Sequence, residues 1–226
     1  MKKSKITTIL TILILLVTGN WSPVTAQDFQ PEWNFGVNGG VTFTEMRFHP
    51  TVPQTYLQQY EGGVTFRYIS EPRFGLQAEL NYSMRGWKEK VDTAAYFFNN
   101  YSRSLAYLEF PLLTHIYFKT SKNTRIIIHI GPQLSYFLSE KVLENIPDPN
   151  SRGDYEYYDL KVENKWDYGI AGGAGFELRT GIGKFVLEGR YYFGLSDTFG
   201  NVRTEGDYFE SSGNQVIGVK MTYFMK

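Results

Sequence analysis

The chain contains no cysteine. That excludes disulfides, thiol nucleophiles, cysteine-ligated metals and a lipid anchor on a terminal cysteine. Histidine is scarce, with three in 226 residues, and no spacing of nucleophile and base suggests a catalytic triad. Charge of one sign is lacking as well: 23 Lys and Arg stand against 23 Asp and Glu, so no basic surface points to nucleic acid. Beyond residue 27 no run of 18 apolar residues occurs, and the mean hydropathy is −0.32. A membrane protein built from helices is therefore excluded, but a β-barrel is not, because only every second residue of its strands meets lipid.

What is present is aromatic and glycine-rich: 17% Phe, Trp and Tyr, and 22 glycines. The first 26 residues read as an export signal, with Lys2, Lys3 and Lys5 at a basic start, "ITTILTILILLV" as apolar core, and Val24-Thr25-Ala26 before Gln27. The core is nearer 12 residues than the about 20 that a membrane anchor needs. Two segments follow, a signal peptide at 1–26 and a barrel domain at 27–226. Removing the signal takes away three lysines and no acid, leaving 20 basic against 23 acidic residues, a net charge of −3.

Residues 73–87, "RFGLQAELNYSMRGW", alternate: Phe74, Leu76, Ala78, Leu80, Tyr82 and Met84 share one face, and Gln77, Glu79, Asn81, Ser83 and Arg85 the other. The stretch is longer than an ordinary strand and reaches the about 9–11 residues that a tilted strand needs to cross a bilayer. Seven more stretches repeat the pattern, near 33–44, 60–69, 105–118, 125–138, 166–178, 184–195 and 214–225. The spacing predicts eight strands. Connections after the second, fourth and sixth are short ("SEPR", "KTSKNT", "RTGIG"), whereas the others run to roughly 14–25 residues on boundaries good to a few residues. Short periplasmic turns alternating with long external loops are the pattern of an antiparallel outer-membrane barrel. Aromatics fall at both strand ends: Trp33, Tyr68, Phe74, Phe118, Phe185 and Tyr223 at one, Phe43, Tyr60, Tyr82, Tyr136, Trp166 and Phe193 at the other. A soluble lipocalin-like barrel would need an apolar interior, against the charges of the opposite face.

The segments "FGLQAELNYSMRGW", "YLEFPLLTHIYF", "IGPQLSYFLS", "WDYGIAGGAGFEL" and "LEGRYYFGLSD" resemble the successive strand motifs of the PorT-type outer-membrane β-barrel proteins of Bacteroidetes. The resemblance covers nearly the whole chain after the signal. It implies an eight-stranded barrel in the cell outer membrane; the name-giving member is implicated in type IX secretion, while most members have no assigned role. One departure is the C-terminus, "TYFMK", where Met225 and Lys226 follow the aromatics.

An eight-stranded barrel has an interior just wide enough to be filled by side chains. Arg67, Glu79, Arg85, Glu109, His115, His129, Glu177, Glu188 and Arg190 are thus expected to form a polar network in the lumen, each charge paired because an unpaired buried ion is costly. If the "KTSKNT" turn sets Phe118 against Ile126, His115 faces His129. Two imidazoles can share a metal or a proton, but two ligands make a poor metal site, and no metal or other cofactor is expected. The calcium-loop echo at Asp148–Asp159 has Arg152 at a ligand place and no flanking helices, so a solvated acidic loop is the better reading. The "RGD" at 152–154 and the glycines at 172–175 carry no specific chemistry, the latter reading as close packing in a narrow barrel. The expected function is non-enzymatic, a structural or accessory role in type IX secretion or envelope assembly, with lipid and envelope or secretion-complex proteins as partners. The alternatives are a narrow small-solute pore and a membrane-embedded lipid-modifying enzyme.

Overall fold

A computed structural model describes residues 29–49, 51–89, 101–144, 161–199, 203–204, 207–208 and 211–226. The signal segment 1–26 and the acidic loop 148–159 lie outside the described residues. The alternating stretches form eight long strands: β1 (Glu32–His49), β2 (Leu57–Glu71), β3 (Phe74–Glu89), β4 (Ser102–Lys119), β5 (Thr124–Glu144), β6 (Trp166–Thr180), β7 (Gly183–Gly194) and β8 (Ser211–Met225). Two-residue strands occur at Gln54–Thr55, Arg203–Thr204 and Asp207–Tyr208.

Each strand pairs antiparallel with its neighbour in sequence, and β1 pairs with β8 to close the barrel. Closure leaves no edge along the spanning segments, as lipid requires of every backbone group. Trp33 lies across from Tyr68, Tyr68 from Leu76, Leu76 from Thr114 and Thr114 from Ile130. The circuit continues through Gly172, Tyr191 and Ile217 and returns to β1 at Phe43, ten residues beyond its start. That stagger tilts the strands.

The strands outrun the sequence boundaries, and this shortens the loops. The connection of β1 to β2 is seven residues (50–56) rather than 14 or more, because β1 extends to His49 and β2 begins at Leu57. The order survives: two-residue to four-residue turns join β2–β3, β4–β5 and β6–β7, and longer links of 12, 21 and 16 residues follow β3, β5 and β7.

The outer wall is apolar and open, with Trp33 63%, Leu112 52%, Phe176 60% and Leu187 55% exposed. Its aromatics meet across strands, Trp33 with Tyr68 at 4.0 Å and Phe185 with Tyr223 at 4.9 Å near the periplasmic end, Tyr136 with Trp166 at 4.9 Å near the external end. Burying polar residues inward and leaving apolar ones outward inverts a soluble protein. That inversion is stable only in hydrocarbon.

Candidate functional site in the barrel lumen

The nine network residues, Arg67, Glu79, Arg85, Glu109, His115, His129, Glu177, Glu188 and Arg190, are all at most 8% exposed, and all face the lumen. They sort into levels along the axis. Near the periplasmic end Arg67 of β2 reaches across to Glu177 of β6, Nη1 to Oε2 2.5 Å, and donates to Gln77 at 2.8 Å. Its guanidinium lies 4.2 Å over the Phe224 ring. Glu177 is shared with Arg125 (3.7 Å) and Arg179 (3.4 Å), and Arg179 and Lys184 both bind Glu32 at the rim.

At mid-barrel Glu79 collects five donors. Arg190 grips it with both terminal nitrogens, Lys220 donates at 2.9 Å, and Gln77 and Asn81 donate at 2.6 and 2.9 Å. Arg190 also holds Glu188, whose Oε2 accepts from His129 Nδ1 at 3.0 Å. His115 lies opposite His129 in register, with 2.8 Å between His115 Nδ1 and His129 Nε2. The carboxylate therefore assigns the proton of His129 to Nδ1 and leaves Nε2 to accept from His115. Room for the Glu188 carboxyl comes from Gly173, where a Cβ would lie 2.4 Å from Oε1. The glycine cluster thus serves close approach.

Nearer the external end Arg85 binds Glu109 through Nε (2.9 Å) and Nη2 (2.6 Å), donates to Ser135 at 2.9 Å, and pairs with Asp167. Its guanidinium carbon lies over the Tyr107 and Tyr192 rings, 4.8 and 4.3 Å from their centroids. Above this level an apolar cap closes the lumen: Met46, Phe48, Trp87, Tyr101, Leu105, Tyr107 and Phe199 form one buried cluster.

Two members of this network, Asp167 and Lys220, stood on the inner face of their strands in the sequence, yet nothing local joins them to Arg85 and Glu79. Their partners lie 82 and 141 residues away. Alternation marked their face, and only closure brought the pairs together. The tyrosines that contact Arg85 carry no sequence signal beyond the inward parity.

The charged middle leaves little space. A cavity of about 20 Å³, lined among others by Thr42, Glu61, Arg85, Glu109, Arg190 and Tyr192, has room for about one water molecule. Among the described residues no group of three or more His, Asp or Glu is placed to hold a metal.

A closed barrel with an apolar wall and an ion-paired interior is an outer-membrane β-barrel. The chain belongs to the outer membrane protein beta-barrel domain family, whose model matches residues 25–200, and its place is the outer membrane. No curated protein matches the chain. Among solved structures it is similar to Neisserial surface protein A, at 12% identity over 84% of this chain and 96% of that one, with a TM-score of 0.44. The outer membrane enzyme PagL matches at 12% identity over 84% and 98%, TM-score 0.44. Ail, the attachment invasion locus protein of Yersinia pestis, in complex with the heparin analogue sucrose octasulfate, matches at 11% over 86% and 99%, TM-score 0.39.

Proposed function

We propose that this protein is a non-enzymatic outer-membrane barrel with a structural or accessory role in protein secretion of the type IX kind or in envelope assembly, acting through its loops and turns rather than through a conduit. The observation that carries this reading is the filled lumen. Ion pairs cross it at successive levels, and the cavity among them is water-sized. A solute path would require these pairs to part, and separating one partner from a buried pair costs about 3–5 kcal/mol. The strand motifs that resemble PorT-type proteins support the secretion setting. Against an enzymatic role, His115 and His129 bind each other and Glu188 rather than a serine or threonine hydroxyl.

The test is co-purification of tagged protein from membranes with identification of bound chains, alongside deletion of the coding sequence. A defined envelope or secretion partner in fixed stoichiometry, with loss of secretion or of envelope integrity on deletion, is the expected result. A barrel that purifies alone and whose deletion leaves both unchanged overturns the reading.

A further inference from the structure

The periplasmic mouth of the lumen holds more positive charge than its own carboxylates neutralise. Arg67, Arg125, Arg179 and Lys184 stand there against Glu32 and Glu177, in a chain that is net acidic once the signal is removed. Arg67 hydrogen-bonds Glu177 Oε2, whereas Oε1 has no hydrogen-bond partner, with Arg179 Nε 3.4 Å and Arg125 Nη1 3.7 Å away. Those two nitrogens and Arg67 Nη2 are likewise buried without a hydrogen-bond partner. Arg125 is 7% exposed, and its guanidinium lies 4.2 Å over the Tyr117 ring. The ring face attracts the charge but accepts none of the in-plane N–H groups. Buried guanidinium donors left open in this way suit an oxyanion, above all a carboxylate that fits their fork. The mouth is reached from the periplasm, since the Arg179 and Glu32 side chains are 29% and 33% exposed.

The turns around the mouth extend the same field. Arg73 in the β2–β3 turn, Lys119 and Lys122 at the β4–β5 turn and Lys226 at the C-terminus are exposed, and Glu71 is the one exposed acid among the described residues of that end. Arg73 holds φ 78°, a left-handed conformation that glycine takes more cheaply. A basic side chain is thus kept where the backbone alone favours glycine. Arg125, Arg179 and Lys184 have the inward parity of a closed wall, so a headgroup of the surrounding leaflet meets the turn cations but not the mouth. A small anion such as phosphate fits the mouth but does not span to the turns. A peptide carrying several carboxylates engages both, as arginine clusters do with acidic motifs.

We propose that the periplasmic mouth docks an acidic peptide segment of a periplasmic partner, one carboxylate accepting from Arg125 and Arg179 and its neighbours lying along the cations of the turns. The inference rests on the accessory reading above for the existence of a partner, and adds where that partner docks and by what chemistry.

The experiment uses the full-length barrel in phosphatidylcholine nanodiscs and a fluorescein-labelled hexaglutamate peptide, followed by anisotropy. Saturable binding that weakens with salt is expected, and Arg125→Gln weakens it at least about tenfold, the worth of one charge-assisted hydrogen bond. Lys161→Gln, exposed at the external end, leaves it unchanged. Folding of each variant is checked by heat-modifiable gel mobility, and Arg179→Gln replaces Arg125→Gln should the latter not fold. No saturable binding, or equal binding by the folded mouth variant, overturns the proposal. Binding lost in Lys119→Gln with Lys122→Gln but kept in Arg125→Gln places the anion at headgroup depth on the turns and also overturns it, as does displacement of the peptide by an equal concentration of inorganic phosphate. A partner that co-purifies by the external loops would leave the accessory reading standing while this docking site fails.

Discussion

Arg190 and Glu79 face each other across the lumen from β7 and β3 in a two-pronged pair, Nη1 to Oε2 2.8 Å and Nη2 to Oε1 2.9 Å, with 111 residues of chain between them. Both are buried, and Glu79 also takes Lys220. Glu79→Ala therefore leaves two cations without their shared carboxylate. The expected loss is about 3–5 kcal/mol, read from urea unfolding of the purified barrel by tryptophan fluorescence. A loss under about 1 kcal/mol would mean that water or another acid replaces Glu79 at no cost.

The filled lumen predicts that the purified protein in planar bilayers shows no steady conductance. Removing Glu109 should weaken the barrel before it opens a path, because Arg85 loses the oxygen that two of its nitrogens share. Glu109→Ala is expected to unfold at lower urea and still not conduct. Stable, reproducible conductance from the unmutated barrel would promote the small-solute pore over the plugged reading.

The two faces of β3 should respond to opposite chemistry. Leu80 is 40% exposed on the wall, while Asn81 is fully buried and bonded to Glu79 and Asn38. Leu80→Arg places a charge in hydrocarbon and should destabilise by roughly 2–4 kcal/mol, depending on depth. Leu80→Phe should be close to neutral, whereas Asn81→Phe strands the donors and acceptors around it. Equal tolerance of phenylalanine at both positions, judged by unfolding in lipid, would show the faces to be misassigned.

Orientation can be read on intact cells. Glu163, exposed beside the external end of β6, and Ser121, exposed in the β4–β5 turn, lie at opposite ends of the barrel. A chain without native cysteine needs no background removed. Glu163→Cys is expected to react with a membrane-impermeant maleimide and Ser121→Cys not to react until the outer membrane is permeabilised. The reverse pattern would invert the barrel.

Strand β1 separates what alternation encodes from what it leaves silent. Trp33, Phe35, Val37, Val41 and Phe43 were readable as a wall and Asn34, Asn38, Thr42 and Thr44 as lining, since an extended strand points successive side chains to opposite faces. The same stretch did not reveal that β1 runs on to His49. There Met46 faces inward, and its backbone N–H and carbonyl bond the side-chain amide of Gln54 at 3.1 and 2.6 Å. A side chain standing in for a neighbouring strand leaves no periodic signal, so the alternation stops short of the external end of the strand and overstates the length of the first loop.

The apolar cap was hidden for a related reason. Met46, Phe48, Trp87 and Leu105 share the inward parity of the charged residues below them, so alternation assigns them to the lumen without saying that the lumen turns apolar at its outer end. Their contact with Phe199 depends on a segment beyond β7 folding back over the opening.

By itself the sequence determined the period, the number of strands, the sorting of short and long connections, and the side each residue faces, because these follow from backbone geometry and the two media a closed barrel separates. Tertiary structure alone decided partnership. The ten-residue stagger accumulated around the closed sheet sets which inward residues share a level, and so joins Arg67 to Glu177, Arg85 to Asp167, and Lys220 to Glu79 across chain separations that no local rule can reach.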